Sequence, residues 1–141
     1  GIVPGGGTAL LYATQYLDTL KPVNSDQRVG IDIVRRALQV PARSILDNAG
    51  LKGEVYIGKL LEDAKESLSK DERVTRGINA ATGEFVDMIK AGIIDPTKVV
   101  RTALTDASGV ASLMATTEAL IVEHQEKKPT KPKTNDTEEE Y

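Results

Sequence analysis

Three patterns predict a mainly α-helical chain with a small β-hairpin and a terminal edge strand. Apolar residues recur at three- and four-residue spacing in stretches separated by helix breakers, which is the period of a helix face turned to a core. Asp95-Pro96 is a strong helix opening, and two short extended runs flank a Thr82-Gly83 turn.

In chain order, Gly5-Gly6-Gly7 precedes Thr8, an expected N-cap, and a helix running to Leu20 with Leu10, Leu11, Ala13, Leu17 and Leu20 on one face. Pro22, Asn24 and Ser25 break that pattern. Ser25 or Asp26 is expected to cap a second helix that buries Val29, Ile33, Val34, Ala37 and Leu38. Pro41 kinks or restarts it, and a piece from Ala42 to Asn48 ends at Ala49-Gly50, because glycine tolerates the left-handed conformation of a C-terminal cap. Glu54 to Leu68 is a further helix presenting Val55, Ile57, Leu60, Leu61 and Ala64.

The charged segment Ser69–Arg73 reads as a surface loop, and Gly77 to Phe85 as the hairpin. Asp95 is placed as the N-cap and Pro96 as the first residue of a helix reaching Thr117, roughly 33 Å at about 1.5 Å per residue. Ala119 to Val122 reads as a short strand. With Gly1-Ile2-Val3 left unpaired at the other end, that strand is expected to join an edge supplied by other sequence. The Lys/Glu/Pro/Thr-rich stretch 125–141 has no apolar period and is expected to be a disordered charged tail, leaving 1–124 as the folded portion.

Bulk properties narrow the function classes. A formal charge of −3 argues against a nucleic-acid surface, which needs a clustered positive field. The chain lacks cysteine and has a single histidine, His124, which excludes disulfides and thiolate metal sites and leaves zinc without its usual ligands. His124 itself reads as a solvated side chain. No apolar run of about 18 residues appears, so the chain is expected to be soluble, without a membrane partner. A first residue that is not Met suggests a piece of something longer.

The glycine triplet has two readings: a hinge or tight turn, and a place where backbone approaches a bulky ligand. Asp95 likewise suits capping alone, or capping together with hydrogen bonds from ribose hydroxyls, while Asn79 offers a donor and an acceptor to a base edge. No Ser/His/Asp arrangement is evident. No Walker-type loop is present either, since Gly7 is followed by Thr8-Ala9 rather than Lys-Ser or Lys-Thr. The assembly would bind without catalysing.

Four motifs in order then make a specific resemblance. Gly1-Ile2-Val3-Pro4-Gly5-Gly6-Gly7-Thr8-Ala9-Leu10, Asn79-Ala80-Ala81-Thr82-Gly83-Glu84, Gly92-Ile93-Ile94-Asp95-Pro96-Thr97-Lys98-Val99 and Ala107-Ser108-Gly109-Val110-Ala111-Ser112-Leu113 together resemble the C-terminal quarter of a group I chaperonin, the GroEL type. The resemblance implies the C-terminal half of the equatorial domain, which holds ATP and makes ring contacts, with Gly1 at the hinge to the intermediate domain. It implies that Gly6 touches the nucleotide by its backbone, that Asn79, Ala80 and Ala81 line the base and ribose pocket, and that Asp95 binds the ribose.

The family's phosphate loop, its catalytic carboxylate and the ligands of Mg2+ belong to segments upstream of this sequence, so the chain alone is expected not to hydrolyse ATP. The resemblance further implies identical subunits in a heptameric ring, a GroES-type co-chaperonin, unfolded clients held by an absent apical domain, and a mitochondrial matrix location, with bacterial cytoplasm or plastid stroma as alternatives. Two departures stand out. The tail is charged where the bacterial one is a Gly-Gly-Met repeat, and Lys52 stands where the bacterial type has an acidic partner for an arginine across the ring interface, here Arg43. Two like charges would weaken that contact. A truncated, non-catalytic scaffold or ring-interaction module is the rival reading. By itself the chain is expected to expose apolar residues such as Leu104, Leu113 and Met114.

Overall fold

A computed structural model describes residues 1–66 and 74–123. The expected helix end at Leu68, the loop Ser69–Arg73, His124 and the tail 125–141 lie outside the described residues. β1 (Ile2–Pro4) leads through Gly5-Gly6-Gly7 into α1 (Thr8–Ala13), which tightens to a 3-10 segment over Thr14–Thr19. α2 (Ser25–Ala37), α3 (Val40–Asn48) and α4 (Gly53–Glu66) follow. The strands β2 (Arg76–Asn79) and β3 (Glu84–Asp87), the short β4 (Ile94–Pro96) and the long α5 (Thr97–Thr116) complete the described chain. The mainly helical class and the hairpin are both present, and none of the described helices is long and apolar enough to cross a membrane.

The core joins three helices to the hairpin: Leu11 and Tyr12 of α1, Ala42 and Leu46 of α3, Ile57, Leu60 and Ala64 of α4, and Ile78 of β2. α1 buries Thr8, Leu11 and Tyr12, so the buried face is rotated from the one expected. Thr8 is not the N-cap. Gly7 holds that position at φ 76, and a Cβ there would fall 2.5 Å from the Ala42 nitrogen. The first helix also ends early because hydroxyls compete with its ladder: Thr14 Oγ1 donates to the Leu11 carbonyl at 2.6 Å and Thr19 Oγ1 to the Tyr16 carbonyl at 2.7 Å.

α2 is capped by Asn24, one or two residues before the expected Ser25 or Asp26. Asn24 Oδ1 accepts from the Gln27 amide at 2.9 Å, and Gln27 Oε1 accepts in return from the Val23 amide at 2.8 Å, a reciprocal cap. Of the apolar face expected to be buried on α2, only Leu38, just past its end, is. Val29, Ile33 and Val34 are exposed, because amphipathicity fixes which face is apolar and not what covers it. Arg35 ties α2 back to the 3-10 segment through Asp18 at 2.8 Å.

α3 carries Pro41 in its first turn and ends as anticipated, with Gly50 at φ 79. The α3–α4 junction is fixed by Asp47, whose Oδ1 accepts from the Gly53 amide at 2.9 Å. In the hairpin, Arg76 pairs with Asp87 and Asn79 with Glu84.

Two expectations about strands are corrected. Residues 1–3 are not left unpaired, for Ile2 and Val3 belong to β1, which pairs antiparallel with β4, Val3 opposite Asp95. Asp95 is consequently a strand residue and not the N-cap of the last helix; Pro96 occupies the cap position, with no side-chain hydrogen bond. Pro4 and Pro96 are tolerated because a two-stranded ribbon has only edges, where a missing donor costs little. Ala119–Val122 forms no strand, and Leu120, Ile121 and Val122 are exposed, since β-propensity without a partner supplies no ladder. Leu104, Leu113 and Met114 of α5 are exposed, as expected.

Gly7 and Gly50 share a left-handed backbone but differ in surroundings, since nothing lies within 4 Å of a Cβ on Gly50. Gly50→Ala should therefore cost about 1 kcal/mol of conformational strain, and Gly7→Ala roughly 3 kcal/mol, because α3 must also retreat. Urea unfolding of both variants checks this; equal losses would mean that the Gly7–Ala42 approach does not constrain the fold.

Candidate functional site

Each glycine of the triplet faces the protein's own interior. A Cβ on Gly5 would meet the Ile93 carbonyl and the Ile94 nitrogen at 3.1 Å, one on Gly6 the Met88 Cε at 3.2 Å, and one on Gly7 the backbone of Ala42. The close approach foreseen from sequence is thus made by the chain to itself, and a ligand would meet peptide groups. Those of Gly6 remain open. Its N–H and C=O make no hydrogen bond among the described residues, whereas the Gly5 amide donates to the Ile93 carbonyl at 2.9 Å and the Gly7 carbonyl accepts from Leu11 at 3.0 Å.

A relay of backbone bonds fastens the three candidate elements together. The Met88 amide donates to the Thr75 carbonyl at 2.8 Å, the Ile93 amide to the Met88 carbonyl at 2.8 Å, and the Gly5 amide closes the series on Ile93. Met88 is fully buried at the centre. Gly77 of β2 admits it, for a Cβ there would lie 2.5 Å from Met88 Cγ and 2.7 Å from Thr8 Oγ1. The relay thereby joins the base of the hairpin, the approach to β4 and the glycine triplet.

Asn79 lies two residues beyond Gly77, about 7 Å along β2, and strand alternation puts both on the face turned towards Thr8 and Met88, opposite the core residue Ile78. Its Oδ1 accepts from the Ala81 amide at 3.0 Å and its carbonyl from the Gly83 amide at 2.8 Å, which shapes the turn carrying Ala80 and Ala81. The amide NH2 of Asn79 has no partner among the described residues. Asp95, half-buried in β4, likewise makes no side-chain hydrogen bond or ion pair there. Asp95 lines a cavity of about 340 Å3 with Pro4, Gly7, Leu10, Pro41 and Val99 among its other walls, and Asn79 does not line it.

Arg43 and Lys52 converge at the α3–α4 junction. The Arg43 carbonyl would lie 2.7 Å from a Cβ on Gly53, the residue after Lys52. Both side chains are exposed and neither makes an ion pair among the described residues.

Sequence reasoning missed Met88, Gly77, Tyr12 and Tyr56. A glycine inside a strand signals close backbone approach and would have found Gly77; nothing local marks the others. Tyr12 donates its hydroxyl to the Arg76 carbonyl at 2.9 Å, joining α1 to β2. Burial pushes its pKa to about 12 from an ordinary 10.0, with the Arg76 charge opposing. Arg76 Nε is buried without a partner among the described residues, and its guanidinium stands 5.8 Å from the Phe85 ring centre. Asp87 serves structure: the Lys90 amide bond, helped by the Thr75 hydroxyl, holds its carboxyl below the usual range.

This arrangement of helices, hairpin and β1–β4 ribbon is a chaperonin fold. A group III chaperonin in the open state superposes with a TM-score of 0.70 at 32% identity, over 86% of this chain and 24% of that one. An open-state group II chaperonin monomer from Methanococcoides burtonii gives 0.69 at 23% identity, over 82% of this chain and 28% of that one, a likeness of fold alone. The TCP-1/cpn60 chaperonin family matches residues 1–125, and the chain belongs to that family.

Among curated relatives, the mitochondrial chaperonin CPN60-2 of Cucurbita maxima is 56% identical over 123 residues, which is 87% of this chain and 20% of that protein. Heat shock protein 60 of Emericella nidulans is 57% identical over 129 residues, 91% of this chain and 21% of that protein. The chain spans about a fifth of the length of these relatives.

The Tyr12 phenol gives a pH test. Its raised folded pKa stabilises the fold fully below about pH 10, and that contribution is lost as pH rises through about 12. Unfolding midpoints should fall more steeply between pH 9.5 and 11.5 (roughly this window) in the parent than in Tyr12→Phe, which also loses about 1 kcal/mol at neutral pH with its hydrogen bond. Parallel pH profiles would overturn the assignment.

Proposed function

We propose that this chain supplies the nucleoside side of the ATP site, and part of the ring contacts, of an ATP-dependent chaperonin that assists protein folding and refolding. One observation carries the reading. Gly6, Asn79 and Asp95 each keep a polar group without a protein partner among the described residues, on elements that the Thr75–Met88–Ile93–Gly5 relay fastens to one another. Unpaired groups so placed suit a ligand with hydrogen-bonding edges. Gly6 would bond the nucleotide through its peptide group, the Asn79 NH2 would donate to the base, Ala80 and Ala81 would leave room beside it, and the Asp95 carboxylate would accept from ribose hydroxyls.

Among the described residues no group of three or more His, Cys, Asp or Glu is placed to hold a metal ion. The reading assigns Mg2+, the phosphates and hydrolysis to segments outside this chain, and to this chain only the binding and orientation of the nucleoside. Identical subunits in a heptameric ring, a GroES-type co-chaperonin and unfolded clients are the proposed partners. Relatives named mitochondrial support a mitochondrial matrix location.

Asp95→Asn in the full-length protein should weaken ADP binding about tenfold or more, the scale of a lost charged hydrogen bond, and leave the thermal midpoint nearly unchanged. The 141-residue chain itself should bind ATP and adenosine weakly and alike by calorimetry. A clear preference for ATP would place phosphate contacts within it and sink the division of labour.

The exposed pair Arg43 and Lys52 carries a separate expectation for ring contacts. Like charges at one junction should give single rings or a salt-labile double ring, and Lys52→Glu should shift sedimentation of the full-length protein towards double rings. A salt-resistant double ring without nucleotide would overturn this.

A further inference from the structure

The turn from Asn79 to Gly83 rests on the first turn of α4. Gly83, at φ 74, has Tyr56 Oη 3.4 Å and Leu51 Cδ2 3.6 Å from where its Cβ would be. The Tyr56 ring stacks on Phe85, with centroids 6.0 Å apart and planes at 27°. Tyr56 thus stacks on Phe85 of β3 and stands beside the turn at Gly83, on either side of Glu84, the residue paired with Asn79.

The two sides of this contact differ in how firmly they are held. α4 is anchored by buried Ile57, Leu60 and Ala64, and the Tyr56 amide is bonded to the Lys52 carbonyl at 3.2 Å. The turn is held by bonds internal to itself, from the Ala81, Thr82 and Gly83 amides to Asn79, while Ala81 and Thr82 are exposed. A rigid aromatic from a packed helix is what fixes the plane of such a turn, and an aromatic pair adds about 0.5–1.5 kcal/mol of directional packing beyond its buried area.

We propose that Tyr56 is a positioning residue for the nucleoside pocket: through Phe85 and Gly83 it orients the turn that presents Asn79. The inference rests on the nucleotide reading above. Its role is in binding and not in hydrolysis, since it reaches only the turn and the strand behind it.

The test uses the full-length protein, with ADP affinity measured by calorimetry, ATP hydrolysis by steady-state kinetics and the thermal midpoint as a fold control. Tyr56→Ala should weaken ADP binding about three- to tenfold, the fold-change equivalent of one aromatic pair, and raise KM for ATP by a similar factor with kcat changed less than about twofold. Tyr56→Phe, which keeps the stack on Phe85 and loses only the hydroxyl beside Gly83, should lose clearly less affinity than Tyr56→Ala. Should Tyr56→Ala fail to assemble, Tyr56→Leu takes its place with the same expectation. Unchanged ADP affinity on losing the ring, or an equal loss with Phe, overturns the proposal. Asp95→Asn run in parallel separates the two ideas: if it weakens ADP binding and Tyr56→Ala does not, only the positioning role fails, and if neither matters the nucleotide reading fails.

Discussion

Gly7 and Ala42 approach so closely that a single added carbon would lie 2.5 Å from a backbone nitrogen. That contact sets the start of α1 against the start of α3, and the remaining packing follows from it. With α1 fixed, Leu11 and Tyr12 point into the cluster completed by Leu46, Ile57, Leu60 and Ile78. Gly5 and Gly6, one and two residues earlier, bring the same loop against Ile93 and Met88. Three neighbouring residues without side chains therefore join a helix pair, a strand ribbon and a hairpin. A Cβ on Gly5 or Gly7 would press on the backbone of another element, and one on Gly6 would displace the end of the Met88 side chain, since close-packed interiors yield little.

The polar groups divide into those the fold uses and those it leaves open. Tyr12 and Asp87 have shifted ionisation, yet each shift has a structural cause: burial raises Tyr12, and the Lys90 amide with the Thr75 hydroxyl lowers Asp87. The groups assigned to nucleotide have no protein partner among the described residues. A binding site that accepts hydroxyls and base edges needs open hydrogen-bonding capacity more than an altered pKa, so the two sets are distinguishable on physical grounds.

Much apolar surface remains uncovered among the described residues. Val29, Ile33 and Val34 on α2, Leu104, Leu113 and Met114 on α5, and Leu120 to Val122 beyond it are exposed. Patches of this kind mark surfaces that pack against other protein. The chain spans about a fifth of the length of its relatives, and the family match covers residues 1–125.

Sequence alone determined the local events whose cause is local. The helix stop at Gly50, the Asn79–Gly83 turn, the helical periods and the ordered motifs that resemble a chaperonin were all legible, because backbone freedom and side-chain spacing act within a few residues. The candidate residues Gly6, Asn79 and Asp95 could be named from motifs, but not their surroundings. Only tertiary structure decided that Asp95 lies in a strand opposite Val3 rather than capping a helix, that β1 finds its partner within the chain, and that Met88 fills the space left by Gly6 and Gly77. It also decided that Tyr56 stacks on Phe85, a contact between residues on separate elements. Such pairings bring together residues far apart along the chain, and their energy comes from packing that no short window of sequence contains.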